Sequence, residues 1–144
     1  MKKLILSFLG VLFLLSCNSF DASQSQVLHY PSQIQWKQVS PGIQMAVVHE
    51  GTGEVLTKGS LVEVHYVGWY TDQIEFYHSV RLKKLYRFKL GRGRVIPAWD
   101  TTLLGLKRGS QIYVRSDHRH AFGDGRADGL RSFVDVVFGI HILD

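Results

Sequence analysis

The residues of this chain whose types and placement imply a site are its aromatics. Trp99 stands in "VIPAWDTTLLGL", Val95 to Leu106, which reads as one short helix. Pro97 suits a first helical position, because its ring presets φ and the missing N–H has no partner there, and Gly105 closes the stretch. About two turns fit between those marks, too few to be stable without packing. Tyr66 and Phe138 fall in alternating apolar runs, Tyr86 and Phe88 alternate in "YRFKL", Phe76 ends a short strand-like run, and Phe122 lies in a glycine-rich stretch. A core alone is normally built from Val, Leu and Ile. Aromatics gathered from loops and strand ends fit the walls of a concave apolar site, which acts by desolvation and ring contact and needs no acid, base or metal. On composition alone the alternative, that these rings are ordinary core, stays open.

Residues with more familiar chemistry are poorly arranged for it. His118 and His120 in "HRH", with Asp117 adjacent, lack a third and fourth metal ligand at a clear spacing, so no metal is expected. The other histidines, His29, His49, His65, His78 and His141, are scattered and have no visible nucleophile partner. "GRGRV" lacks the lysine–serine ending and the strand-to-helix setting of a phosphate loop. "GDGRADG" lacks the spaced ligands of a calcium loop.

The elements that must position the aromatics follow from patterning. "GIQMAVVHEG" reads as a strand ending at a Gly-Thr-Gly turn. "SLVEVHYVGWY" sets Val62, Val64 and Tyr66 against Glu63, His65 and Val67, a half-buried antiparallel pattern. "IEF" and "YRFKL" are two more short strands, "QIYVRS" follows the helix, and "FVDVVFGIHIL" closes the chain beyond a long loop, "DHRHAFGDGRADGLRS". One helix among five or six strands is an α+β arrangement, with the helix covering the apolar face of an antiparallel sheet and Trp99 pointing into that face.

The chain has 144 residues, 45% hydrophobic and 20% charged, which suits one globular domain. Its start differs. Lys2 and Lys3 precede "LILSFLGVLFLL", far short of the roughly 20 apolar residues of a bilayer span, so 1–16 reads as a secretory signal. The run ends in "LLSC", whose Cys17 is the only cysteine. This resembles the bacterial lipoprotein box, in which the cysteine is acylated and begins the mature chain. A single thiol so used leaves out disulfides, Cys-ligated metals and thiol nucleophiles. Without Lys2 and Lys3, 15 basic residues face 12 acidic ones, a mild balance that speaks against nucleic acid as a partner and supports contact with anionic headgroups at most. "NSFDASQSQ", Asn18 to Gln26, reads as a flexible tether, and within 17–41 only part is expected to dock on the body that begins at Gly42.

Order and spacing add to this reading. "VHYVGWY…EFYHS…YRFKLGRGRVIPAWDTTLLGLKRGS…HAFGDG…VVFGIHIL" resembles the FKBP-type peptidyl-prolyl isomerases from about Gly42 to Leu143. The most specific part is the block that fixes Phe88, Leu90, Gly91, Val95, Ile96 and Trp99 at once. The resemblance implies a five-stranded sheet wrapped around a short helix. It makes Trp99 the floor of a proline pocket, with Tyr66, Phe76, Tyr86, Val95, Ile96, Phe122 and Phe138 as walls and Leu130 as a flap. It gives Ile96 a role through its backbone N–H, which donates to a substrate carbonyl. No cofactor is implied.

Two positions depart from the family's pattern. Tyr77 stands where it has an aspartate, and Phe122 where it usually has a hydrogen-bonding tyrosine; Pro97 and Ala98 alter the rim. The function implied is isomerisation of X-Pro bonds in exported or envelope proteins at weakened turnover, with Tyr77 a candidate substitute donor. The partners implied are proline-containing envelope polypeptides and, through lipidated Cys17, a membrane, with the domain facing the periplasm. The rival class is a non-catalytic FKBP-like binding module of an envelope assembly.

Overall fold

A computed structural model describes residues 20–123 and 129–144. Cys17 and the signal segment, and the stretch 124–128 of the long loop, lie outside the described residues. Seven strands form one sheet: β1 (Lys37–Ser40), β2 (Ile43–His49), β3 (Leu61–Tyr70), β4 (Glu75–His78), β5 (Tyr86–Lys89), β6 (Gln111–Ser116) and β7 (Val136–Ile142). Their order is β1-β2-β6-β7-β3-β4, every pair antiparallel, with β5 also on β3. The single α-helix among the described residues, α1 (Pro97–Thr102), lies against the inner face. The expected α+β sheet around one short helix therefore holds. The six strands read from patterning all form, and β1 is a seventh.

Alternation along β3 and β7 explains the inner face. Val62, Val64 and Tyr70 from β3 meet Val136, Phe138, Ile140 and Ile142 from β7, and Ala98, Trp99 and Leu103 close over them. Each large apolar side chain so buried contributes about 1.5–3 kcal/mol. The helix is shorter than the twelve-residue stretch that announced it. It begins at Pro97, Leu103 N–H caps back to Trp99 O, and Gly105, at φ 83°, turns the chain away and donates to Leu56 O at 2.9 Å.

The outer face corrects two expectations. β3 is not half-buried throughout: Val67 is fully buried and Trp69 is 4% exposed, on the side that alternation assigns to water. They pack with Tyr113 and Val137 beneath Val27, Leu28, Tyr30, Ile34 and Trp36 of the N-terminal segment. The flexible tether expected over Asn18–Gln26 is likewise seated from Phe20 onward. The Phe20 ring lies 4.2 Å from that of His65 and 5.3 Å from that of His141. Ala22–Gln24 forms a 3-10 turn capped by Asp21. Gln111 fastens the segment, its Oε1 accepting from Gln26 N–H at 2.6 Å and its Nε2 donating to Gln24 O at 3.0 Å. Gly139 makes the close approach possible: a Cβ there would stand 1.8 Å from Val27 O. We call residues 20–36 the strap.

Candidate functional site

Trp99 is placed by the helix start and held by rings. Its indole meets Tyr66 at 4.8 Å and 88°, Phe138 at 5.3 Å and 86°, and Tyr86 at 6.0 Å and 78°, all edge-to-face, with Phe88 tilted at 5.8 Å. Above it opens a cavity with about 310 Å³ of empty space, its mouth included, lined by Tyr66, Tyr86, Val95, Ile96, Trp99, Phe122 and Phe138. All seven were expected from the sequence, although Trp99 itself is only 3% exposed.

Three expected residues sit elsewhere. Phe76 stands behind the wall, 5.7 Å from Phe122 and 5.9 Å from Phe138, and touches the backbone at Gly68, where a Cβ would lie 2.5 Å from its ring. It supports the lining without joining it. Tyr77 stacks on Tyr66 outside the cavity, rings 4.6 Å apart and 14° from parallel. Leu130 packs partly buried against the core and does not line the cavity. Its neighbour Arg131 pins that corner. The Arg131 N–H donates to Tyr70 Oη at 3.0 Å, its guanidinium lies 4.6 Å above the Tyr70 ring, and Nη1 reaches Asp72 at 2.5 Å.

Donors are few. The Ile96 carbonyl accepts from Trp99 N–H at 3.0 Å and starts the helix, while among the described residues its own N–H donates to no protein acceptor. That leaves it available at the cavity wall. Burial first, then the neighbouring Tyr77 and Tyr86, push the Tyr66 phenol well above its ordinary range, so it keeps its proton.

Two residues that position the site were not read from the sequence. Asp100 accepts from Gly91 N–H at 2.7 Å and from Gly93 N–H at 3.0 Å, holding the loop that delivers Val95 and Ile96. Its signal was a carboxylate at the start of a helix that follows two glycines with positive φ. Ser79 fills a break in the sheet edge. β4 pairs β3 at Val67–Trp69 and β5 pairs it at Leu61–Val64, so Tyr66 falls in the gap. Ser79 Oγ accepts from Tyr66 N–H at 2.9 Å and Ser79 N–H donates to Tyr66 O at 3.0 Å.

"HRH" is a 3-10 turn, His118–His120, capped by Asp117. Partial burial raises the Asp117 carboxyl, but hydrogen bonds from Arg119 and His120 outweigh it and hold it at about 2. Among the described residues no three His, Cys, Asp or Glu side chains converge in a geometry for a metal.

The described residues thus form an antiparallel sheet packed on one short helix, with an aromatic pocket over the helix start and no acidic or basic side chain in its lining. The sequence profile of the FKBP-type peptidyl-prolyl cis-trans isomerases matches residues 52–143, and the chain belongs to that family. The human "Peptidyl-prolyl cis-trans isomerase FKBP4" is 31% identical over 136 residues, covering 90% of this chain; this chain spans only 30% of that relative's length. The "FK506-binding protein" of Neisseria meningitidis serogroup B is 27% identical over 103 residues, 71% of this chain and 94% of that one. Among solved structures, FkpA from Escherichia coli superposes with a TM-score of 0.69 at 30% identity, covering 76% of this chain and 50% of that one.

Proposed function

We propose that this protein is a peptidyl-prolyl cis-trans isomerase for X-Pro bonds of exported or envelope polypeptides. The observation that carries the reading is the pocket itself, with Trp99 as its floor and the uncommitted Ile96 N–H at its wall. Rotation about an amide must break resonance, at a barrier of ~18–20 kcal/mol, and unaided X-Pro exchange takes roughly tens to hundreds of seconds. The planar amide is the more polar state. Moving it from water into an apolar cavity removes solvation that favours it, while ring contacts on Trp99 and a hydrogen bond from Ile96 hold the twisted form. A thousandfold acceleration requires about 4 kcal/mol of preferential stabilisation. Turnover is weak for the family, because Tyr77 and Phe122 bring neither a carboxylate nor a hydroxyl to the pocket.

Exchange NMR on a short Leu-Pro peptide tests this: cross-peaks between cis and trans forms build faster with the protein and lose that gain in Trp99→Leu. A rate equal to buffer overturns the isomerase. The bare apolar lining also favours a second reading, a module that holds proline segments without turnover, which the same titration reveals as binding without exchange. Attachment to an envelope membrane through acylated Cys17 belongs to the same proposal. Labelled palmitate incorporated by the chain and not by Cys17→Ala supports it, and equal labelling of both defeats it.

A further inference from the structure

The pocket has one charged border. Between Glu75 and Asp100 the chain carries seven of its 17 lysines and arginines and no acidic residue. All seven are exposed. Arg81 pairs with Glu75 and Arg87 with Glu63. The other five, and Lys58, have no carboxylate partner among the described residues. Like charges are even gathered, since the Cβ position of Gly91 lies 2.9 Å from the Lys58 side chain and that of Gly59 lies 3.5 Å from Arg92.

Two of these cations are rooted at the pocket walls. Arg94 directly precedes Val95, and Lys84 lies two residues before Tyr86. Consecutive Cα atoms are about 3.8 Å apart, so each cation is anchored within two Cα steps of a residue that lines the pocket. The turn that carries Lys84 is ordered by backbone bonds: Lys84 N–H to Ser79 O at 2.9 Å, Lys83 N–H to Val80 O at 3.0 Å and Leu82 N–H to His78 O at 3.1 Å. Beside the cations it exposes Leu82, at 51%, and Leu85, at 43%. No acidic side chain lines the pocket.

We infer that the polypeptides received by this pocket carry acidic residues beside the X-Pro bond, with Lys84 and Arg94 taking their carboxylates and Leu82 and Leu85 an apolar neighbour. The inference rests on the reading that the pocket receives X-Pro segments. An anionic lipid surface presents complementary charge too, but Lys84 and Arg94 are joined in the chain to residues that line the pocket, which favours a polypeptide. Exposed charges of this kind act mainly on association and are screened by salt.

The test uses three Leu-Pro peptides that differ only in two flanking residues, Glu, Gln or Lys. Exchange and binding, the latter by fluorescence anisotropy, are both measured with the purified full chain. The Glu peptide is expected to bind and exchange about fivefold better than the Lys peptide at low salt. That ratio is expected to approach one in about 0.5 M NaCl, where the Debye length is only a few ångströms. The double variant Lys84→Gln, Arg94→Gln abolishes the ratio, whereas Lys37→Gln on β1 keeps it. Equal rates and affinities for the three peptides overturn the inference and leave the isomerase standing. A Glu preference in affinity with no exchange overturns the isomerase and leaves the acidic partner. A double variant that keeps the peptide ratio but loses adsorption to phosphatidylglycerol vesicles assigns the surface to lipid and overturns the inference.

Discussion

Tyr77 lies almost parallel to Tyr66, ring centroids 4.6 Å apart, so the side chain that stands in place of a carboxylate braces the pocket wall from behind. A stack of this kind contributes about 0.5–1.5 kcal/mol. Tyr77→Asp is therefore expected to lower the urea midpoint modestly while placing a charge against the Tyr66 side of the pocket wall. Combined with Phe122→Tyr it should raise X-Pro exchange about tenfold, equivalent to about 1.4 kcal/mol of barrier. No gain from the double variant, with the fold intact by circular dichroism, would show that the pocket is kept for contact alone.

Asp100 makes a second prediction. Its carboxylate satisfies two backbone N–H groups of the Gly91–Gly93 loop. Asp100→Ala leaves both without that acceptor, a cost of about 1–3 kcal/mol. Because Val95 and Ile96 hang from this loop, peptide affinity is expected to fall with stability, and Asp100→Asn, with one acceptor oxygen, should lie between. Denaturant midpoints and peptide titrations measured on the same samples decide it.

Gly139→Ala addresses the strap. The new methyl group meets Val27 O at an impossible distance, so the strap has to lift from β7. Trp36 and Trp69 then gain exposure, seen as a red shift of fluorescence and faster proteolysis before residue 37. The pocket lies on the opposite face, and its peptide affinity is expected to change less than twofold. Loss of affinity equal to the loss of protection would mean that the two faces do not separate.

Stability should fall in mild acid. Burial first, then His78, lowers the proton affinity of His65 below its ordinary value of 6.5. Burial first, then His65, lowers that of His141, with His49 acting the same way and Asp144 opposing. Both imidazoles are neutral when folded, and unfolding lets them take up protons. Their contribution is complete above about pH 6.5 and declines as pH drops below that value toward the lowered folded pKa. Urea midpoints at pH 7.5 and 5.5 are expected to differ, with a smaller difference in His141→Asn. An unchanged pH dependence in that variant would remove His141 from the account.

Much of the inner face was legible in the chain because two rules agree there. Alternation places Val62, Val64, Phe138 and Ile140 on one side, and Pro97 with Gly105 delimits what covers them. The seven lining residues followed from the resemblance to the isomerase family, carried over position by position along that frame. The strap was not legible, since a run of Ser and Gln has no period, and its bonds are made by Gln111 and Tyr113, far away in sequence. A trace did exist: Val67 and Trp69 are apolar at positions that alternation gives to solvent, which signals a cover. Phe76 and Tyr77 were misplaced for another reason. Residue type names an aromatic, but the register shift between Gly68 and Trp69 decides which way β4 turns its rings.

Ser79 joins matters that the fold otherwise keeps apart. Its hydroxyl oxygen receives the Tyr66 N–H on the pocket strand and lies 2.8 Å from His65 Nδ1 on the outer face, to which the hydroxyl donates when the neutral imidazole carries its proton on Nε2. A protonated His65 would have to donate to the same oxygen, turning the hydroxyl around. One hydroxyl oxygen thus ties a titratable ring on the outer face to the backbone of a pocket wall.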